Sequence, residues 1–151
     1  MKVESYSEEY FYDVKRLVEM FHFEYLKSHY GEIDHDVVRN TINNFKANTF
    51  LLINGKECVG VLAGSFIKSN FNQRVFFQEI MWYVREPFGR YAFFLVEEVE
   101  KVLKSLGVSD MIMSAIESDK SQRIAGIYDR MGYKPLETHY IRSLNGVSRK
   151  A

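Results

Sequence analysis

The chain has 151 residues, with Lys plus Arg equal to Asp plus Glu at 20 each. A chain of this length buries roughly two thirds of the surface its unfolded form exposes, so a single domain spanning 1–151 is expected. Balanced charge lacks the basic footprint of a general nucleic-acid binder, and no apolar run approaches the ~20 residues of a membrane helix. The opening "MKVESYSEEY" is too acidic for a secretory leader, so a cytoplasmic location is expected. Cys58 stands alone, which excludes a disulfide framework and a cysteine metal site, and it reads as a small buried hydrophobe. Aromatics make up 15% of the chain, enough for a well-filled core or an aromatic-lined cleft.

In chain order, "KVESY" reads as a short first strand. From Ser7 to Tyr30 the residues Phe11, Val14, Leu17, Val18, Phe21 and Tyr25 recur at helical spacing, with Ser7 as N-cap and Gly31 as the stop. Asp34 or Asp36 starts a second helix with Val37, Val38, Ile42 and Phe45 on its inner side. Two strands, "NTFLLI" and "ECVGVLAGSFI", flank "NGK", where Asn-Gly between apolar runs signals a hairpin. A third long strand, "RVFFQEIMWYV", leads into a helix from about Tyr91 to Leu106 with Ala92, Leu95, Val96, Val99, Leu103 and Leu106 as its buried stripe. "VSDMIMSAI" reads as a strand, "KSQRIAGIYDRM" as a helix ended by Gly132, and "YKPLETHYIRSL" as a closing strand. The order β-α-α-β-β-β-α-β-α-β, without repeat or linker, predicts one α/β (α+β) domain.

Three stretches carry chemistry. In "VREPFGRYAFFLVEEVE" a strand passes into a helix through almost no loop. A helix start exposes free N–H groups, Gly89 allows close approach, and Arg90 adds charge, so the turn either holds an anion or merely connects two elements. Alternation in "FFQEIMWYV" puts Glu79 on one face with Val75, Phe77, Met81 and Tyr83. A carboxyl group there has either a raised pKa suited to a general base or a salt-bridge partner. In "IYDRMGY" the residues Ile124, Tyr128 and Met131 share a helical face, so Tyr128 is either a core tyrosine or a phenol placed to donate a proton. The four histidines lack metal spacing, and no metal is expected. Gly60 and Gly64 precede no Gly-Lys-Ser/Thr and read as strand glycines that relieve crowding.

These stretches, in this order, resemble the GNAT superfamily of acyl-CoA-dependent N-acetyltransferases over essentially the whole chain. In that family a strand carries a glutamate base and ends in a turn of pattern Arg/Gln-x-x-Gly-x-Gly/Ala, and a later helix carries Tyr-Glu-Lys/Arg-x-Gly-Phe/Tyr. "YDRMGY" matches the later pattern with Asp129 for Glu, and Ala92 takes the last position of the turn. Pro87 and Arg90 depart from the pattern, in a form similar to bacteriophage-type members, and Ser121 stands where many members have Asn.

The resemblance implies a GNAT-like, mostly antiparallel central sheet flanked by helices, and transfer of an acetyl group from acetyl-CoA to a primary amine in a ternary complex. It implies Glu79 as base and Tyr128 as acid. It implies that the cofactor is held by Met81, Trp82, Tyr83 and Val84 along the strand, by Phe88, Gly89, Arg90, Tyr91 and Ala92 at the turn, and by Ser121. The acceptor, a small-molecule or peptide amine, is expected against Phe23, Glu24, Tyr25 and Tyr30, where carboxylate and aromatic walls suit a polyamine or lysine-like group. A homodimer is compatible with this reading, as is a host-cytoplasmic location if the chain is phage-encoded. The alternative is a non-catalytic GNAT-like module that binds CoA or another protein, in a phage component or an effector complex. A transferase acting on a protein N-terminus, a lysine or an aminoacyl-tRNA is a further reading.

Overall fold

The computed structural model describes residues 1–145. Its first compact unit, Met1–Ser114, is built on a five-stranded sheet in the order β1-β2-β3-β4-β5. The strands are β1 Lys2–Ser5, β2 Thr49–Asn54, β3 Glu57–Lys68, β4 Val75–Val84 and β5 Asp110–Ile112. Every pairing is antiparallel except β4 with β5. The expected hairpin is present, with Asn54 paired to Glu57 and Gly55 at φ 63°, the left-handed conformation such a turn requires.

The first helix is α1, Phe11–Phe21, which runs through a π-helical turn, His22–Leu26, into α2, Lys27–Tyr30. A 3-10 turn, Glu8–Tyr10, precedes it, and Ser7 holds the N-cap position without capping through its hydroxyl. That expectation fails in detail because the tighter first turn replaces the geometry a serine cap serves. The next helix, α3 His35–Phe45, has a working cap: the Asp34 carboxylate accepts from the Asp36 and Val37 N–H groups at 3.0 and 3.1 Å. Val37, expected on the inner side, is exposed, and Val38 and Ile42 alone are fully buried there.

Helices α1 and α3 cover one face of the sheet. Val14, Leu17, Val38 and Ile42 pack with Leu51, Ile53, Val61 and Tyr83. The opposite face carries Phe50, Leu52, Leu62 and Phe77, by alternation along the paired strands. Helix α4, Ala92–Ser105, packs against the sheet with Leu95, Val96, Val99 and Leu103 buried, each side chain contributing on the order of 2 kcal/mol of burial. Leu106, expected in this stripe, is exposed beyond the helix end, where Gly107 takes φ 80°.

The decisive irregularity lies in β4. Ala63 pairs with Met81 and Gly64 with Glu79, so Ile80 is an extra residue, a β-bulge. One added residue reverses the alternation beyond it. Glu79 therefore shares a face with Phe77 and Val75 but not with Met81 and Tyr83, which turn toward α1; the strict period of two expected from the sequence is broken here.

From Ala115 onward the chain forms a second compact unit. Its helix is α5, Ser121–Arg130, ended by Gly132 at φ 91° with the Tyr133 N–H bonded to the Tyr128 carbonyl at 2.9 Å. The expected closing strand over 133–144 is not formed: among the described residues this segment has no strand ladder, and Leu136, Tyr140 and Leu144 are exposed. Alternating sequence marks strand propensity, but a ladder also needs a neighbouring strand. The expected strand over 108–116 shrinks to β5 for the same reason, since only Asp110–Ile112 meets β4.

Candidate active site

The β4–β5 ladder pairs Phe76, Phe77 and Gln78 with Asp110, Met111 and Ile112, and stops there. The next residue of β4 is Glu79. Its carboxylate accepts a long hydrogen bond, 3.4 Å, from the Ser114 N–H, two residues past the end of β5. Only 8% of Glu79 is exposed. Burial pushes its pKa up to about 7, while the Ser114 bond acts weakly in the other direction. A group that is half ionised near neutrality at the point where two strands part is well matched to proton transfer.

Space beside it comes from Gly64, directly across the ladder. A Cβ on Gly64 would lie 2.5 Å from the Gln78 carbonyl oxygen and 2.6 Å from the Phe77 ring, so no larger residue fits. The sequence marked Gly64 as a strand glycine, but nothing in it announced the pairing with Glu79. Ser114 contributes only its backbone N–H, which no side-chain pattern reveals.

Beyond the bulge, Met81–Val84 continue β4 toward the turn. The Trp82 indole donates to the Ala92 carbonyl at 3.2 Å and meets the Phe93 ring edge-on at 5.0 Å, fixing the start of α4 against the strand. Between them lies a 3-10 turn, Gly89–Tyr91. The N–H groups of Phe88, Tyr91 and Ala92 bond to the carbonyls of Arg85, Phe88 and Gly89. Those of Gly89 and Arg90 make none of the turn's bonds. Of the five positions expected to hold phosphate, these two therefore have donors to offer, and exposed Arg90 adds a guanidinium that now rests over the Tyr91 ring. One residue the sequence reading missed faces this turn: Glu86 Oε1 would lie 3.2 Å from a Cβ on Gly89.

The expected acceptor wall is the π-helical turn. Tyr83 donates to Glu24 Oε1 at 2.7 Å, and burial with this contact pushes the Tyr83 phenol well above its usual pKa. Tyr83 therefore serves α1 through its side chain, leaving its backbone alone for the expected cofactor contact. Tyr25 packs on Phe21 and Tyr83, with ring centroids 5.6 and 6.5 Å apart, whereas Phe23 and Tyr30 are exposed. His22 accepts or donates no metal contact but meets the Gly31 carbonyl at 2.7 Å, closing the end of this helix.

The remaining two expected residues belong to the second unit. Ser121 accepts from the Ser118 N–H at 2.7 Å and donates to the Ile116 carbonyl at 3.3 Å, so its hydroxyl orders the loop before α5. Tyr128 is half-buried, its ring 5.3 Å from that of Tyr133.

Solved structures of acetyltransferases superimpose on this chain almost end to end. One, an aminoglycoside acetyltransferase from an uncultured soil metagenomic sample, gives a TM-score of 0.70 at 16% identity, covering 95% of this chain and 98% of its own. A ribosomal-protein-alanine N-acetyltransferase from Brucella melitensis biovar Abortus 2308 gives 0.73 at 11%, with the same coverages. The fold is that of the GNAT acetyltransferases. A second soil-metagenome aminoglycoside acetyltransferase, solved in complex with sisomicin, gives 0.70 at 15% identity over 95% of this chain and 96% of its own. No protein-family model and no curated protein sequence matches the chain. The likeness to bacteriophage-type members has no counterpart among these structures. No helix among the described residues is long and apolar enough to cross a membrane.

Proposed function

We propose that this protein is an N-acetyltransferase that moves an acetyl group from acetyl-CoA to a primary amine by direct attack. The observation that carries the reading is Glu79, a buried carboxyl group with a pKa near 7 placed where β4 and β5 part. The turn suits the phosphates of CoA, since Gly89 and Arg90 keep N–H donors and Arg90 supplies positive charge. The backbone of Met81–Val84 holds the pantetheine arm. Bound acetyl-CoA supplies an activated thioester acyl group. Glu79 takes the proton that the attacking amine must lose, directly or through one water. Tyr128 returns a proton to the departing thiolate; this role rests on the "YDRMGY" pattern. Glu24, with Phe23, Tyr25 and Tyr30, receives a cationic amine. The neighbours named for aminoglycosides and for ribosomal-protein alanine share one fold, so acceptor choice lies in these local residues.

A non-catalytic module is favoured by one observation, the Glu86 carboxylate lying against Gly89, where it repels phosphate. Acetyl-CoA decides between them. At 100 times its dissociation constant it stabilises a fold by about 2.7 kcal/mol, a rise of roughly 5–10 °C in Tm for a chain of this size. Pantetheine without phosphate should do much less. A screen of amines with a free-thiol readout then tests transfer; binding without thiol release from any amine class leaves the module, and no binding removes the reading.

A further inference from the structure

On the face of the sheet opposite Glu79, a cavity of about 70 Å³ lies between α1, α3 and the bulged stretch of β4. Its walls include Val14, Val18, Ile42 and Met81. Two hydroxyls reach it, and both are already spent: Thr41 donates to the Val37 carbonyl at 2.8 Å and Thr49 to the Phe45 carbonyl at 2.7 Å. The space therefore presents methyl and methylene groups, with no partner for a water molecule, which needs two to four. Thr41 and Ile80 are the exposed lining residues and mark its mouth. Ile80 is the bulge residue itself. Without the insertion in β4 the alternation would not place two successive residues, Ile80 and Met81, along this cavity.

We propose that this cavity binds a short unbranched alkyl group of a substrate, three or four carbons long. It has roughly half the volume of the ~150 Å³ apolar cavity that holds benzene, so an aromatic ring does not fit. Met81 lines the cavity and also belongs to the strand proposed to hold the thioester arm; the assignment to a substrate rests on the transferase reading to that extent. The alkyl group has two sources, the acyl chain of the donor or the carbon chain of the amine.

The test reads binding rather than turnover. Xenon dissolved under pressure should shift the methyl resonances of Val14, Val18, Ile42 and Ile80 in the wild-type protein. Thr41→Phe, a change at an exposed helix position, should close the mouth and abolish those shifts. Acyl-CoA thioesters from acetyl to butyryl form one arm, and n-alkylamines from ethyl to pentyl the other, with dissociation constants read from the same methyl groups. Affinity should rise about 4-fold per added methylene in one arm, and Thr41→Phe should flatten that series. The arm that rises names the source. No xenon shift in the wild type, or a flat series in both arms, overturns the proposal. Failure to bind any CoA thioester would remove the transferase reading alone, because the xenon and amine measurements still decide whether the cavity takes an alkyl guest.

Discussion

Gly64 stands directly opposite Glu79 in the β3–β4 ladder, at the step where β4 carries one residue more than its partner. The pairing explains why a strand interior tolerates a glycine: the Phe77 ring and the Gln78 carbonyl occupy the volume a side chain would need. Gly64→Ala should cost about 1–3 kcal/mol through overpacking. Because one obstacle is backbone, Ala should also disturb the bulge. Urea denaturation measures the first effect, and the pH midpoint of activity the second; wild-type values of both would sink the account.

The pKa of Glu79 has a stability consequence. Its folded pKa, about 7, lies above the reference value of 4.5. Between these the native state holds a proton that the unfolded chain has released, so stability falls as pH rises, by up to about 1.4 kcal/mol per pH unit. Below pH 4.5 the group costs nothing, and above pH 7 the loss is complete. Glu79→Gln should remove this slope and be the more stable form at pH 8, while losing the acid limb of the rate profile near pH 7. A variant with the wild-type limb would place the base elsewhere.

Glu86 and Arg90 should act on CoA with opposite signs. Arg90→Ala removes a charged donor and should weaken binding roughly tenfold, with little change in Tm, since the residue is exposed. Glu86→Gln should tighten binding by relieving repulsion beside Gly89. Trp82 is the sole tryptophan and touches the start of α4, so its fluorescence reports both titrations. Equal affinities in all three proteins would move the phosphates away from this turn.

Tyr128→Phe keeps the ring contact with Tyr133 and deletes only the hydroxyl. Turnover should drop by ~10²–10⁴ with acetyl-CoA affinity retained. An unchanged kcat would return Tyr128 to a packing role.

Tyr83→Phe tests the acceptor wall. Loss of the bond to Glu24 should cost about 1 kcal/mol of stability and raise KM for a cationic amine, with kcat nearly unchanged. A change confined to kcat would contradict a binding role for Glu24.

Much of this was legible in the residues because it depends on local chemistry. Asn54-Gly55 fixes a hairpin, Asp34 caps α3, and the stripe Leu95, Val96, Val99 and Leu103 buries a helix. Glu79 was found for the right reason, burial, but with the wrong neighbours, because the bulge at Ile80 arises from pairing between strands and leaves no mark in one strand's sequence. The Glu86 approach to Gly89 and the Ser114 contact were invisible for a related reason: each is set by how the backbone folds back on itself.

The π-helical turn at His22–Leu26 carries a consequence for how such a chain diversifies. It is one residue wider than an α-turn, so deleting a single residue there would restore the ordinary repeat and rotate whatever follows by about 100° relative to α1. Lys27, Tyr30 and the approach to Gly31 would swing to a different side of the helix while the sheet, Glu79 and the Gly89 turn stayed in place. A three-nucleotide loss could thus re-aim the acceptor wall without touching the reacting groups, making reading-frame-preserving deletions, more than point substitutions, the short route to a new acceptor.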